Sequence, residues 1–364
     1  MRRIAGAAAI ILAAAACDHS EPFGSTPDTA GGPLQPGNPT RLTLNPLQDL
    51  NPGWLPDGSA ILYTFERSPV ANRDRCLGLM PAGGGTRTRD ICNTSDGQLD
   101  STEALGPAAV SLSGRLAYGY AQSVPNALKP DRYQLRMAPL TDPENFQVIE
   151  SFPLNIGGQQ VGALGAVRWL SDTRLVYLAQ QIAYIPPATR APPDTVPTGV
   201  GLVLVDLATN LPPALVPGTA FATSLAVAPE PEMLLFTVAG ESTVHRIDLA
   251  SGRDSIIHDF QALGIARDVA LSGDRLLAVV GGAVSFTLDP VLGPVQRDHG
   301  GPVYEVDLAT GRESLLGGGS TTHVFRRPAV SAAGAVVVEA YRFTVTGGGP
   351  VVERVGDLWE YLAP

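Results

Sequence analysis

The chain has 364 residues, a formal net charge of −10, and charged side chains at only 16% of its positions. This acidic balance, without any basic stripe, argues against a nucleic-acid partner, because phosphate binding needs clustered lysine and arginine side chains. The 40 glycines and 32 prolines imply frequent turns, which is typical of an all-β protein built from many short strands.

The first 16 residues are predicted to be an export signal. Arg2 and Arg3 precede the apolar run Ile4–Ala16, which is too short to span a bilayer and ends in small residues before Cys17. The pattern resembles the signal of bacterial lipoproteins, in which the cysteine is lipidated and begins the mature chain. Ala14 stands where leucine is commonest in that signal. Plain secretion and an uncleaved anchor therefore remain alternatives.

The composition divides the chain into three predicted segments. Residues 1–16 form the signal, and residues 17–39 are predicted to be a disordered tether because they contain almost no apolar side chains. Residues 40–364 are predicted to form a single folded domain.

A short turn followed by an apolar β-type run recurs six times, at a spacing of about 55 residues that indicates a repeated supersecondary unit. The turns end near Gly58, Gly114, Thr173, Pro231, Gly273 and Gly334. A second marker, Asp-Leu-Ala, follows alternating strands at residues 206, 248 and 307. Each repeat therefore predicts four antiparallel strands, a to d, with tight a–b and c–d turns.

Four-stranded antiparallel repeats arranged radially form a β-propeller. We predict six blades, with seven as the alternative. The last blade, which ends near Leu362, is one strand short. We expect the alternating segment Thr40–Leu44 to supply its outer strand and close the ring.

Two of the three cysteines flank a predicted hairpin whose turn centres on Gly84. This register places Cys76 directly opposite Cys92, at a separation that suits a disulfide. An exported protein allows the bond to form. Cys17 would then be an odd thiol in an oxidising compartment, which favours its lipidation.

The segment Trp54–Tyr63 resembles the repeat of TolB-type (WD40-like) propellers, where Trp-Ser-Pro-Asp-Gly precedes an apolar strand. The match is partial at Trp169–Asp172 and degenerate elsewhere. The resemblance implies a six-bladed ring, an extracytoplasmic location and a role in protein interaction, and its motif has no catalytic residues to transfer. We expect Asp57, Asp172 and Asp274 to cap turns, and Trp54, Trp169 and Trp359 to pack between blades.

The long insertions fall mostly between strands b and c, which places them on one face of the ring. This long-loop face is the predicted binding surface, and unconstrained drift of the loops is the alternative. Its candidate binding residues are Arg67, Arg73, Tyr184, Arg190, Arg297 and His299.

Common hydrolase, phosphate-loop and metal-site motifs are absent from the sequence. We expect a monomeric, non-catalytic module without cofactor or metal, held at the membrane by lipid on Cys17, that binds an envelope protein or peptide. The alternative is a six-bladed lactonase or esterase with a divalent cation held by acidic and amide side chains in its channel. The predicted innermost strands are mostly apolar, although Arg168, Asp268 and Arg327 are expected to approach the axis.

Overall fold

A computed structural model describes residues 39–43, 47–67, 75–92, 102–123, 130, 132–185, 194–209, 211–228, 230, 232–282, 284–289, 293–298, 300–317, 323–346 and 349–361. Across these ranges the structure is all-β, and the single helix is a 3₁₀ turn at Gln261–Leu263. None of the described residues forms a helix long and apolar enough to cross a bilayer. The predicted signal, most of the tether and Cys17 lie outside the described residues.

The strands group into six antiparallel units of four, which we call blades. After β1 (Thr40–Arg41), blade 1 comprises β2 (Asp49–Trp54), β3 (Ala60–Glu66), β4 (Arg75–Pro81) and β5 (Arg89–Ile91). Blade 2 comprises β6 (Thr102–Val110), β7 (Arg115–Ser123), β8 (Arg132–Pro139) and β9 (Gln147–Phe152). The hairpin of β10 (Leu154–Ile156) and β11 (Gln159–Val161) leads to blade 3, which comprises β12 (Ala163–Trp169), β13 (Arg174–Ile185), β14 (Asp194–Asp206) and β15 (Ala214–Leu215).

The second half of the chain repeats this plan. Blade 4 comprises β16 (Ala226–Val227), β17 (Met233–Thr237), β18 (Thr243–Asp248) and β19 (Arg253–Asp259). Blade 5 begins with β20 (Ala266–Ser272) and β21 (Arg275–Val280), continues through an inserted hairpin of β22 (Val284–Asp289) and β23 (Gly293–Asp298), and ends with β24 (Val303–Asp307) and β25 (Arg312–Gly317). Blade 6 contains β26 (His323–Val330), β27 (Val336–Thr346), β28 (Gly349–Tyr361) and, as its outer strand, β1.

The first strands of the six blades form a closed ring. Each contacts the next, in the order β2, β6, β12, β16, β20, β26 and back to β2. Blades 1 and 2 are joined into one sheet by a single parallel bridge between Arg75 and Ala104, and the other four blades are separate sheets. The predicted propeller is therefore confirmed, and the strands of the described residues form six blades and no seventh.

The N-terminal strand closes the ring as predicted. Thr40 and Arg41 of β1 pair with Glu360 and Trp359 of β28. The Leu42 N–H donates to the Leu358 carbonyl at 2.7 Å, and the Leu42 side chain is only 2% exposed. The outer strand of the last blade is thus the first strand of the described chain, so its first and last strands lie in one sheet.

Two repeat tryptophans tie their blades, 1 and 3, to the preceding blade. Trp54 donates its indole N–H to the Ala329 carbonyl at 3.3 Å, and Trp169 donates to the Ala109 carbonyl at 3.1 Å. Both acceptors lie on the innermost strand of the preceding blade. Trp359 packs in the core cluster shared by blades 5 and 6. The expected packing of the three tryptophans between blades is confirmed.

The turn aspartates accept hydrogen bonds from backbone N–H groups and do not form a site. Asp248 accepts from the Ala250 N–H at 2.8 Å, and these turn hydrogen bonds, led by the Ser251 hydroxyl, hold its pKa below the usual range. Asp57 caps its own turn through the Ser59 N–H at 3.0 Å. Asp172 differs from the expectation, because it accepts from Ser113 N at 3.0 Å and so ties the turn of blade 2 to that of blade 3.

Cys76 and Cys92 form the predicted disulfide, with their Cα atoms 4.6 Å apart. The neighbouring pair of Leu77 and Ile91 has the register expected for a turn centred on Gly84. The bond therefore fastens the short outer strand β5 to β4.

Leu42→Ala should lower the free energy of unfolding by about 2–5 kcal/mol, because it leaves a cavity beneath the strand that closes the ring. Leu112→Ala is the matched control, since Leu112 is 87% exposed at the a–b turn of blade 2. Urea unfolding of both variants measures the difference. Equal stability of the two variants would mean that β1 does not hold the last blade.

Candidate functional site

The long connections lie on the face of the ring where strand b leads to strand c. Strands β13 and β14 remain paired as far as Ile185 and Asp194, and β27 and β28 remain paired as far as Thr346 and Gly349. The hairpin of β22 and β23 is inserted at the same point of blade 5. The connection in blade 4 is short, running from Thr237 to Thr243. Hairpins therefore extend the long-loop face in three blades.

The six candidate binding residues all belong to these connections. Arg67 is exposed just after β3. Tyr184 lies on β13 opposite Thr195, and Arg297 lies on β23 opposite Ser285. Residues Arg73, Arg190 and His299 lie outside the described residues. The topology places Arg67, Tyr184 and Arg297 on the long-loop face, and the role of all six residues in binding stays a prediction.

The innermost strands of five blades contain a one-residue register shift at a similar depth, and in blade 4 the isolated bridge of Ala222 shows the same shift just before β16. Sequence reasoning missed these shifts. The shifts lie between Leu50 and Gly53, Leu105 and Ala108, Leu164 and Ala166, Ala222 and Ala226, Ala266 and Val269, and Arg326 and Ala329. Such bulges redirect side chains. Three of them contain an X-Pro pair, a sequence signal that could have located them because proline cannot donate to a ladder.

A buried charged group, the axial ion cluster, lies at the bulges of blades 5, 6 and 1. It consists of Asn51, Asp268, Arg327, Glu339 and Tyr341. The fully buried Glu339 carboxylate accepts two hydrogen bonds from Arg327 Nη1, at 3.0 and 3.1 Å, and one from the Tyr341 hydroxyl at 2.8 Å. It also accepts from the backbone N–H of Asn51. The backbone N–H of Arg327 donates to Asp268 Oδ2 at 3.0 Å.

Electrostatics keep the axial ion cluster charged. Burial raises the pKa of Glu339, but the guanidinium groups of Arg327 and Arg326 outweigh it, so that the pKa lies below its usual range. Burial and the neighbouring carboxylate raise the pKa of Tyr341 strongly. Glu339 is therefore an ionised acceptor with both oxygens engaged. Asn51 and Arg327 have positive φ angles, 52° and 44°, which indicates that the surrounding contacts hold a strained backbone.

The cluster does not have the arrangement of a cation site. Among the described residues, no three His, Cys, Asp or Glu side chains are placed to share a metal ion. The Glu339 carboxylate is also satisfied by Arg327 and Tyr341, which a metal would have to displace. The cluster links three blades, and its chemistry is that of a structural ion pair.

A histidine on blade 4 has some geometry of a catalytic triad. His245 Nδ1 lies 3.1 Å from Asp254 Oδ2, and its Nε2 lies 3.0 Å from Thr243 Oγ1. However, Nε2 is also 3.0 Å from Glu241, and the Thr243 hydroxyl donates to Glu241 at 2.8 Å. Carboxylates engage both ring nitrogens, so neither nitrogen is free to accept a proton from a nucleophile.

No family model matches the chain, and no curated protein matches it in sequence. Solved structures do match in fold. TolB from Acinetobacter baumannii is 16% identical, with a TM-score of 0.52 over 84% of this chain and 67% of that one. The chain has a TolB-like propeller fold. The resemblance predicted from the repeat is therefore confirmed at the level of architecture.

A second similar structure is regucalcin from Agrobacterium tumefaciens, described as a calcium-binding protein. It is 11% identical, with a TM-score of 0.51 over 91% of this chain and 93% of that one. At these identities the likeness concerns the fold alone.

Glu339→Gln should destabilise the protein by about 1.5–3 kcal/mol at pH 7, because it replaces the buried carboxylate that accepts charge-assisted hydrogen bonds from Arg327. The folded-state pKa of Glu339 is lowered, so its stabilising effect is present above the unfolded pKa of about 4.3 and is lost as the pH falls below it. The difference from wild type should therefore shrink in acid.

The control is Glu305→Gln, which removes a partly exposed carboxylate 2.7 Å from Arg275 and should cost no more than about 1 kcal/mol. Denaturant unfolding between pH 7 and pH 3 measures both variants. Equal losses for the two at pH 7 would refute the special role of Glu339.

Proposed function

We propose that this protein is a lipid-anchored, non-catalytic β-propeller of the bacterial cell envelope that binds a protein or peptide on its long-loop face. The observation that carries the proposal is the asymmetry of the ring. Hairpins extend one face in blades 3, 5 and 6, whereas tight turns capped by Asp206, Asp248 and Asp307 cover the other. Loops held by a rigid scaffold are the usual place for recognition.

Export and anchoring are supported by the cysteines. The bond between Cys76 and Cys92 suits an oxidising compartment, and it leaves Cys17 as the one cysteine of the sequence without a disulfide partner. Acylation of Cys17 with two or more chains would give stable anchoring, because one chain binds a membrane only marginally. Residues 17–39 would then separate the ring from the bilayer.

Cys17→Ala should abolish incorporation of labelled palmitate in a bacterial host. Cys92→Ser is the control, and it should keep the label because it leaves the proposed acceptor intact. Equal labelling of wild type and Cys17→Ala would contradict the anchor, and the protein would then be secreted without lipid or held by its uncleaved signal.

The long-loop face can be tested by shortening one hairpin without changing its register. Ala183 pairs with Val196, whose backbone N–H can close the turn, so replacing residues 184–195 by Asn-Gly joins paired positions through a two-residue turn. A photo-crosslinking residue is placed at position 67 in native membranes. Its control sits at position 112, where Leu112 is exposed at an a–b turn on the opposite face.

We expect crosslinked products from position 67 and not from position 112. The shortened hairpin should reduce those products at least tenfold while the Tm stays unchanged. Products that survive the shortening, or that form equally from position 112, would refute binding on the long-loop face.

A second candidate is a hydrolase with a divalent cation in its channel. The fold similarity to a calcium-binding protein favours testing it. The described residues provide few ligands for such a cation, because the Glu339 carboxylate already accepts a hydrogen bond from Arg327. Stoichiometric calcium in the purified protein, retained after dialysis, would reverse the order of the two candidates.

A further inference from the structure

One register position is shared by all six innermost strands. It is occupied by Gly53, Ala109, Arg168, Ala226, Ala270 and Ala329, which pair respectively with Leu62, Ala117, Val176, Leu235, Leu277 and Val337 of the second strands. We call it the axial position. Five of its six occupants have no side chain beyond Cβ.

Packing explains the small residues. Ala329 packs in a core cluster with Ile61 of the next blade, and Ala270 packs with Val336 of the next blade. A Cβ added to Gly53 would lie 4.0 Å from the Ala108 carbonyl of blade 2. The alanines at this position therefore belong to the packing between neighbouring blades.

Arg168 is the exception to this pattern. It is half-buried, and its Nη1 donates to the carbonyl of its own neighbour Val167 at 2.8 Å. Within the described part of the chain, no carboxylate forms an ion pair with it. β12 is the innermost strand of blade 3 and pairs only with β13, so Arg168 borders the space enclosed by the six innermost strands, which we call the axial channel.

Neighbouring positions accommodate the long side chain. Blade 4 has Val227 at the position where blades 1 and 3 have the tryptophans that cover the axial residue of the preceding blade. Val227 packs in the cluster between blades 3 and 4. The smaller side chain leaves room for the stem of Arg168.

The fold alone does not account for this arginine. Burial lowers the pKa of its guanidinium, which means that its surroundings disfavour the charge. Two arginines at the start of second strands, in contrast, are compensated, since Arg174 forms an ion pair with Glu232 and Arg275 forms one with Glu305 at 2.7 Å. Alanine occupies the same position in four blades, so the scaffold has no need of a cation here.

We propose that Arg168 anchors a carboxylate-binding site in the axial channel. A guanidinium matches a carboxylate in charge and in planar two-point geometry. The other five axial positions are glycine or alanine, so their side chains add no donor for the extra charge and oxygens of a phosphate. The carboxylate can belong to a small organic acid or to an acidic peptide that enters the channel. This site is independent of the long-loop face.

The test compares wild type with Arg168→Ala, a variant that gives the third blade the residue found in four others. Thermal unfolding is followed as sodium acetate, or an acidic peptide with free carboxylates, replaces sodium chloride at constant ionic strength. Arg312→Ala, which removes an exposed arginine of β25, is the matched control. The acetate and peptide titrations show whether the site prefers a small organic acid or an acidic peptide.

In chloride alone, Arg168→Ala should unfold at the wild-type Tm or above it. Acetate or the peptide should raise the Tm of wild type and of Arg312→Ala, with an apparent affinity at least tenfold weaker in Arg168→Ala. Equal responses of wild type and Arg168→Ala would overturn the site. A lower Tm of Arg168→Ala in chloride would assign the arginine to the scaffold. An Arg168-dependent response to sodium phosphate but to neither carboxylate would overturn the ligand class.

Discussion

The structure depends on covering both faces of every blade. A four-stranded sheet buries its two faces only against its neighbours, so an open ring would expose the outer faces of blades 1 and 6. Pairing of β1 with β28 removes this problem by fixing the two ends of the domain in one sheet. The repeat tryptophans and the inter-blade turn contacts, such as that between Asp172 and Ser113, then link neighbours around the ring.

Much of this architecture could be predicted from the sequence because it rests on local chemistry. Turn residues at a regular spacing gave the strand order, and the missing last strand pointed to the segment after the tether. The disulfide followed from hairpin register, with Cys76 and Cys92 equidistant from Gly84. The same reasoning identified the face that carries the long connections, since alternation of strand direction decides it.

The axial ion cluster and the axial position could not be predicted, because both depend on register between blades. Glu339 stands within an apolar run, a signal of burial, but its partner Arg327 is identified only when β26 and β27 are paired. Asp172 was expected to cap its own turn, and only the approach of blade 2 assigns it to Ser113. Arg168 resembles any strand-end arginine until the six innermost strands are aligned.

In the proposed function, scaffold and recognition are separated within the ring: markers of the repeat hold blades together, while the long hairpins and Arg168 are assigned to partners. The central claim is that the six blades form one ring closed by β1. Hydrogen exchange of the mature protein tests it most directly. The account predicts that the Leu42 amide, bound to Leu358, is protected as strongly as the amides of β27. Exchange of Leu42 at the rate of an unstructured chain, with β27 still protected, would contradict the closed ring.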